Sequence, residues 1–348
     1  MPSFRTGVVT EILETRPGLQ RVLVDLGGRT ERAYALTQLL PSVAVGDRVV
    51  LNTTAVELGL GTGGWHVVHW NLEHDAWSEP VAGRGMKLRY TSLQIDVGHA
   101  EPPEVTNIER VPVVVAGLHS QIAAVAVAFK QLRPDKRLVY VMTDGGALPI
   151  AISDLVGQLR DRNLIDATVT GGHAFGGDFE AVTVHGALAI ARREAGADAI
   201  VVAMGPGSAG SGTRLGFSAI EVGSVLDAVT ALDGQPIAAL RASFADDRPR
   251  HQGVSHHSIT ALSLATTSRV RVPLPCVGGA EEQRLRADLA AAGIDTNHEL
   301  VDVAPVGVIE LFATRNLQIE SMGRSAADDP VLFETAAAAG VLAARAVP

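Results

Sequence analysis

Three histidines, His251, His256 and His257, fall within seven residues of the chain. Neutral imidazole ligates metals and shuttles protons, so this spacing indicates acid–base or metal chemistry. The spacing matches no standard zinc motif, however. Ser255 or Ser258 could cap a helix that we predict to begin near Ile259, with the histidines as polar surface groups. We predict catalytic roles for the three histidines and keep the surface interpretation as the alternative.

A glycine-rich segment at residues 205–213 follows an apolar run that ends at Met204. Glycines permit positive φ and the close approach of backbone N–H groups to a ligand, and such a loop before a helix can hold an anion. No lysine follows the last glycine, so the segment is not a Walker loop, and it does not fit the dinucleotide fingerprint. A tight structural connection is the alternative. The predicted ligand-binding residues are Gly205, Gly207, Ser208, Gly210, Ser211, Gly212 and Thr213.

Two further loops carry titratable groups. Asp144 directly follows a predicted strand, and His173 and Asp178 lie among four glycines at residues 171–180. An aspartate in such a place can act as a base, bind a metal or cap a helix. We predict catalytic roles for Asp144 and His173 and a metal-binding role for Asp178 and His119, with capping and turn formation as the alternative.

From residue 111 onward, apolar strands alternate with helices, which predicts βαβ units and a parallel sheet covered on both faces. Ligands of such sheets bind beyond the carboxyl ends of the strands, so we expect these loops to meet along one edge. The segment 167–186 fits either a strand or an irregular turn. The predicted strands are 111–117, 137–142, 199–204, 236–240, 270–273 and 300–303. The predicted helices are 121–132, 149–159, 218–232, 259–265, 281–292, 307–314 and 330–346.

Residues 4–70 contain five short β-rich runs separated by turn signals, which is typical of a small OB- or SH3-like barrel. The barrel lacks an evident basic, aromatic face, so we interpret it as a packing or interaction module. The predicted fold class is therefore α/β: a small barrel domain over 1–72, a connector over 73–110 packed on the large domain, and a parallel-sheet domain over 111–348.

The net charge of −9, without a basic run, argues against nucleic acid and membrane surfaces as partners. No stretch approaches the ~18 apolar residues of a membrane span. The single cysteine, Cys276, lies in an apolar run, so we expect it to be buried and no intrachain disulfide to form. Without a signal-peptide core at the N-terminus, these features predict a cytoplasmic protein. The sequence leaves a homo-oligomer open.

Three segments, at residues 85–94 (GMKLRYTSLQ), 205–217 (GPGSAGSGTRLGF) and 251–257 (HQGVSHH), resemble those of a bacterial family known as domain of unknown function 3866. The resemblance extends over nearly the whole chain. It implies an uncharacterised protein and carries no activity, cofactor or catalytic residue to transfer.

The residues themselves favour an enzyme that acts on a small anionic or phosphorylated metabolite. The glycine-rich loop would hold the anion, and the histidines with Asp144 or Asp178 would supply acid–base groups or bind a divalent metal. The sequence identifies no cofactor beyond that candidate metal. The alternative is a non-catalytic small-molecule-binding or scaffolding protein.

Overall fold

The computed structural model describes residues 2–78, 85–98 and 105–348. The chain divides into two compact units, Met1–Gly98 and His99–Pro348. The predicted domain boundaries at residues 72 and 110 stay a prediction, and parts of the predicted connector lie outside the described residues.

The first unit contains a closed barrel of five strands in the order β1-β2-β3-β5-β4, which confirms the predicted small barrel. Buried residues alternate with exposed ones along the strands, and Val22, Val24, Val49 and Leu51 fill the interior. The strands are β1 (Phe4–Arg16), β2 (Leu19–Asp25), β3 (Thr30–Ala35), β4 (Arg48–Asn52) and β5 (Trp65–Asn71). A short helix, α1 (Thr54–Glu57), connects β4 to β5, and β6 (Met86–Lys87) pairs with β7 (Ile95–Asp96).

An aromatic and arginine cluster lies on strands β2, β3 and β5 of the barrel. The rings of Tyr34 and Trp65 stack with centroids 4.6 Å apart. The guanidinium carbons of Arg32 and Arg21 lie 4.9 and 5.5 Å from the centre of the Trp65 ring. The cluster is aromatic, but Arg21 also pairs with Glu14 at 2.9 Å, so the expectation that the barrel lacks a basic, aromatic face stays a prediction. Arg21 and Trp65 are distant in sequence from Arg32 and Tyr34, and strand pairing brings them together.

The second unit is built on an eight-stranded sheet in the order β11-β10-β9-β12-β8-β13-β16-β17. All of its strand pairs are parallel, which confirms the predicted α/β class. Its strands are β8 (Pro112–Ala116), β9 (Leu138–Thr143), β10 (Ala167–Thr170), β11 (Phe179–Glu180), β12 (Ala199–Met204), β13 (Gln235–Ala239), β16 (Arg271–Pro275) and β17 (Glu299–Val303). Two small hairpins pair β14 (Ala242–Ser243) with β15 (Gly253–Val254), and β18 (Glu320–Ser321) with β19 (Arg324–Ser325).

Helices cover both faces of this sheet, because its strands are apolar on both sides. Along β8, Val114 and Ala116 face one core and Val113 and Val115 face the other. The helices are α2 (Gln121–Leu132), α3 (Asp154–Asp161), α4 (Val184–Arg193), α5 (Glu221–Ala231), α6 (His256–Thr260), α7 (Gly279–Ala291), α8 (Ile294–Asn297), α9 (Val308–Thr314) and α10 (Pro330–Ala346). The first core contains α2, α3, α9 and α10, and the second contains α4, α5 and α7.

The structure differs from the sequence predictions at several places. The ambiguous segment contains β10, a loop, β11 and the first residues of α4, a helix that we did not predict. The predicted helix from residue 218 begins as a 3₁₀ turn, Ser218–Ile220, and α5 follows. Cys276 is exposed rather than buried, because β16 ends at Pro275 and the chain then leaves the sheet. Within the described residues, none of the helices combines the length and the apolar character that crossing a membrane requires.

Candidate functional site

The loop at residues 205–213 follows β12, which lies between β9 and β8 in the sheet. Helix α3 follows β9 and helix α2 follows β8, and both cover one face of the sheet. Helix α5 follows β12 and covers the other face. Loops that diverge to opposite faces leave a crevice at the carboxyl ends of the strands, where ligands of such sheets bind. The topology therefore places the glycine-rich loop at a switch point.

His251, His256 and His257, which we call the histidine triad, lie together. One ring nitrogen of each is within 4.8 Å of those of the other two. The β14–β15 hairpin returns the chain so that His251, in a 3₁₀ turn, faces the first turn of α6. That helix begins at His256, earlier than predicted, because Ser255 is its N-cap and accepts a hydrogen bond from the His257 N–H. His256 and His257 are therefore helical residues.

Burial and nearby arginines lower the pKa of all three imidazoles. Desolvation is the largest cause for His251 and His257, whose pKa values fall to about 3, and the charge of Arg241 comes next. Desolvation and the charge of Arg250 lower the pKa of His256. The rings are therefore neutral near pH 7, the form that ligates metals. Nε2 of His256 is buried and has no hydrogen-bond partner among the described residues.

Arg241 lies directly against the triad with only 4% of its surface exposed. Its Nη1 donates a hydrogen bond to Nδ1 of His257 over 3.0 Å, since a guanidinium can only donate. Behind it, the buried carboxylate of Asp246 pairs with Arg248 at 2.8 Å, Arg324 at 3.3 Å and Arg241 at 3.8 Å. Arg324 also pairs with buried Asp329 at 3.1 Å. We call this set of three arginines and two aspartates the arginine network.

Two contacts connect the triad to the glycine-rich loop. The ring of Phe217, just after the loop, stacks on His257. Nη1 of Arg250 donates to the carbonyl of Gly212 over 3.4 Å. Beside these groups, a small pocket has Arg241, His257 and Ser258 at its polar side and is otherwise lined by Gly117, Ala219, Val222, Ala238, Ala239, Ala261 and Leu262. The structure therefore brings the predicted anion loop and the predicted histidines together.

The loop after β9 meets the glycine-rich loop from its other side. The Ala147 N–H donates to the Pro206 carbonyl over 2.8 Å. In this loop Asp144 accepts a hydrogen bond from the backbone N–H of His173 over 3.0 Å. The contact joins the two predicted residues through the backbone of His173. Asp144 is exposed, whereas His173 is half-buried.

Glu221, at the start of α5, is a titratable residue that the sequence did not single out. It accepts a hydrogen bond from the hydroxyl of Thr143 and lies against Gly145. Burial, helped by the negative charge of Asp144, raises the pKa of Glu221 to about 7. A glutamate at the start of a helix looks ordinary in sequence, and only the overlying loop after β9 buries it.

His119 and Asp178, the predicted metal ligands, have protein partners. Nδ1 of His119 lies 3.1 Å from the Met204 carbonyl and Nε2 lies 2.7 Å from the Ser153 hydroxyl. Burial lowers the pKa of His119 to about 4. Asp178 pairs with Arg160 at 2.7 Å and accepts from the Thr168 N–H. Neither belongs to the triad, and their metal-binding role stays a prediction.

Residues 32–340 match the family described as "Protein of unknown function (DUF3866)". The chain belongs to this family. The match confirms the predicted resemblance to this family and brings no activity with it. The comparison with curated proteins gave no match, and neither did the comparison with solved structures.

In this DUF3866 chain, neutral imidazoles, the buried guanidinium group of Arg241 and a glutamate with a raised pKa lie on or beside loops that meet at one switch point. Neutral imidazoles can coordinate a metal ion, guanidinium groups can hold an oxyanion, and a carboxyl group with a pKa near 7 can exchange a proton.

Proposed function

We propose that this chain is an enzyme that binds a divalent transition metal at the histidine triad and acts on a small anionic substrate beside it. The observation that carries the proposal is the clustering of three neutral imidazoles within 4.8 Å of one another. Three protein ligands leave a coordination position for water or substrate, which is the pattern of catalytic rather than structural metal sites.

The triad fits a metal in several respects. The buried Nε2 of His256 has no partner among the described residues, so a metal would satisfy it. Two nitrogens on one ion at the usual length of ~2.1 Å are at most ~4.2 Å apart, so the rings need only a small closure. A metal held there would polarise an oxygen of the substrate or lower the pKa of a bound water.

The protein's own groups supply the remaining requirements of such a reaction. Arg241 donates to His257, and the charge of Arg250 acts on His256, so both guanidinium groups would help to orient an anion. Glu221 precedes Val222, which lines the same small pocket as His257. With a pKa of about 7, Glu221 is suited to exchange a proton with a bound substrate or water.

Metal binding tests the proposal directly. We expect the purified protein to bind Co²⁺ with the visible spectrum of a low-coordinate site. Replacing His256 or His257 with alanine should weaken binding by about 100-fold or more, because each replacement removes a ligand. His185→Ala is the matched control, since His185 is exposed on α4. Wild-type protein without metal affinity, or triad variants that bind as wild type does, would contradict the proposal.

Turnover separates the enzyme from the alternative of a non-catalytic binding protein. Metal-loaded protein should hydrolyse at least some members of a panel of small phosphate esters, and His257→Ala should abolish this activity. Binding of such compounds without turnover would favour the binding protein instead.

A further inference from the structure

We infer that the histidine triad binds its metal cooperatively with a small oxyanion, and that Arg241 couples the two ligands. The inference rests on the proposed function, since it requires the triad to bind a metal. It concerns which ligands the site accepts together, and it follows from the hydrogen bond that Arg241 makes to His257.

In the structure, His257 cannot coordinate a metal without losing that hydrogen bond. Its Nδ1 accepts from Arg241 over 3.0 Å, so a neutral ring carries its proton on Nε2. A metal could bind Nδ1 by displacing Arg241. Otherwise it could bind Nε2 after the ring proton moves to Nδ1, where that proton would face the N–H donor of Arg241. Either route releases the guanidinium of Arg241 from the imidazole.

A released Arg241 keeps only a long ion pair with Asp246 and a contact with the sulfur of Met322. Its side chain is buried, and a buried charge that loses its best partner is destabilising. Asp246 lies 3.8 Å away and already pairs with Arg248 and Arg324. The network holds three guanidinium groups against the carboxylates of Asp246 and Asp329, which leaves a surplus positive charge that a divalent cation would increase.

An oxyanion beside the metal removes both difficulties. It would accept hydrogen bonds from Arg241 and add negative charge where the metal adds positive charge. Ser258 lines the pocket together with Arg241 and His257, and Arg250 approaches from the glycine-rich loop. Phosphate and carboxylate groups share this chemistry, and a guanidinium can bind either one in a bidentate manner.

The test compares metal affinity with and without an anion. We titrate the full chain with Co²⁺ near neutral pH in chloride, in inorganic phosphate and in acetate at matched ionic strength. We expect phosphate or acetate to tighten Co²⁺ binding about tenfold, and Co²⁺ to tighten anion binding by the same factor, since coupling is reciprocal. The anion with the larger effect identifies the group that the site prefers.

Variants separate coupling from general electrostatics. Arg241→Met should bind Co²⁺ more tightly than wild type in chloride, and phosphate should change its affinity by less than about twofold. Arg250→Ala, which alters an exposed residue and should fold normally, should reduce the phosphate effect in part. Arg345→Ala, exposed at the end of α10, should keep the full effect.

The outcomes distinguish the two proposals. Wild-type protein that binds Co²⁺ equally well in chloride, phosphate and acetate would overturn the coupling and leave the metal site intact. No Co²⁺ binding in any buffer would overturn the proposed function itself. If Arg241→Met does not fold, an undiminished phosphate effect in Arg250→Ala would count against the inference.

Discussion

The ring of Phe217 lies parallel to the imidazole of His257, with the ring centroids 4.0 Å apart and an angle of 2° between the planes. Phe217 is buried and follows the glycine-rich loop. The stack therefore fixes one face of His257 and ties its orientation to the end of that loop.

Replacing Phe217 with alanine should weaken Co²⁺ binding by about 10- to 100-fold, the range typical of groups that orient metal ligands. Without the stack His257 can adopt other orientations, and the loop loses its anchor. Phe217→Leu, which keeps the apolar volume but has no ring, should have a Co²⁺ affinity between those of Phe217→Ala and wild type. Equal Co²⁺ affinity in Phe217→Ala and wild type would show that the stack does not position His257.

The stability of the second unit should fall as the pH rises from about 4.5 to about 7, because of Glu221. Its pKa of about 7 lies above the usual glutamate pKa of 4.5. In this window folded Glu221 keeps a proton that the unfolded chain has lost. By linkage the free energy of unfolding decreases by about 3 kcal/mol and becomes flat above pH 7.

Glu221→Gln should lack this decline and be more stable than wild type at pH 8, since a neutral amide can still accept from Thr143. Urea unfolding at several pH values measures the effect, and Glu281→Gln, exposed on α7, is the control. The explanation fails if Glu221→Gln and wild type show the same pH dependence.

Gly205 allows the loops after β9 and β12 to touch. A Cβ built on Gly205 would overlap the carbonyl oxygen of Ala147, and one on Gly146 would overlap the carbonyl of Gly205. We expect Gly205→Ala to destabilise the second unit by about 2–4 kcal/mol, because the overlapping atoms belong to the backbone of the two loops and cannot move aside easily. It should also weaken Co²⁺ binding through the displaced loop.

Gly157→Ala is the matched control for this change. Gly157 lies in α3, and nothing lies within 4 Å of a Cβ built there. The substitution should leave Co²⁺ affinity unchanged and stabilise the helix by about 0.5–1 kcal/mol. Thermal unfolding of both variants measures the contrast, and equal stabilities would refute the close contact.

The aromatic and arginine cluster should stabilise the barrel. Trp65→Ala removes the stack on Tyr34 and the cation–π contact with Arg32, so we expect the free energy of unfolding of the barrel to fall by about 1–3 kcal/mol. Trp65→Phe should restore more than half of that loss in stability. The three tryptophans, Trp65, Trp70 and Trp77, all lie in the first unit, so their fluorescence reports on that unit alone. An unchanged fluorescence transition in Trp65→Ala would mean that the cluster adds no stability.

Both sheets could be predicted from sequence because their strands carry strong local patterns. Alternating burial marks the barrel strands, and continuous apolar runs mark the strands buried on both faces. The glycine-rich loop and the histidines could be selected because their residue types are unusual and local. Their meeting was expected from the rule that carboxyl ends of parallel strands share an edge.

The sequence did not reveal Arg241 and Glu221 as site residues, because contacts with distant segments bury them. Arg241 follows a strand and looks like a surface arginine. Its burial arises from a network that includes Arg324, and its Nη2 also contacts the sulfur of Met322. Glu221 is likewise buried by a loop almost 80 residues earlier in the chain. Such contacts leave no periodicity that a sequence pattern could detect.

Helix α10 packs against α2 so closely that a Cβ on Gly340 would overlap the backbone of Val125. It is buried over nearly its whole length, and it follows every strand of the large sheet in the chain. On the ribosome, the part of this face that α10 covers must therefore stay uncovered until α10 has been synthesised. We expect nascent chains that stop before Pro330 to expose apolar surface and to depend on chaperones, whereas the barrel can fold much earlier.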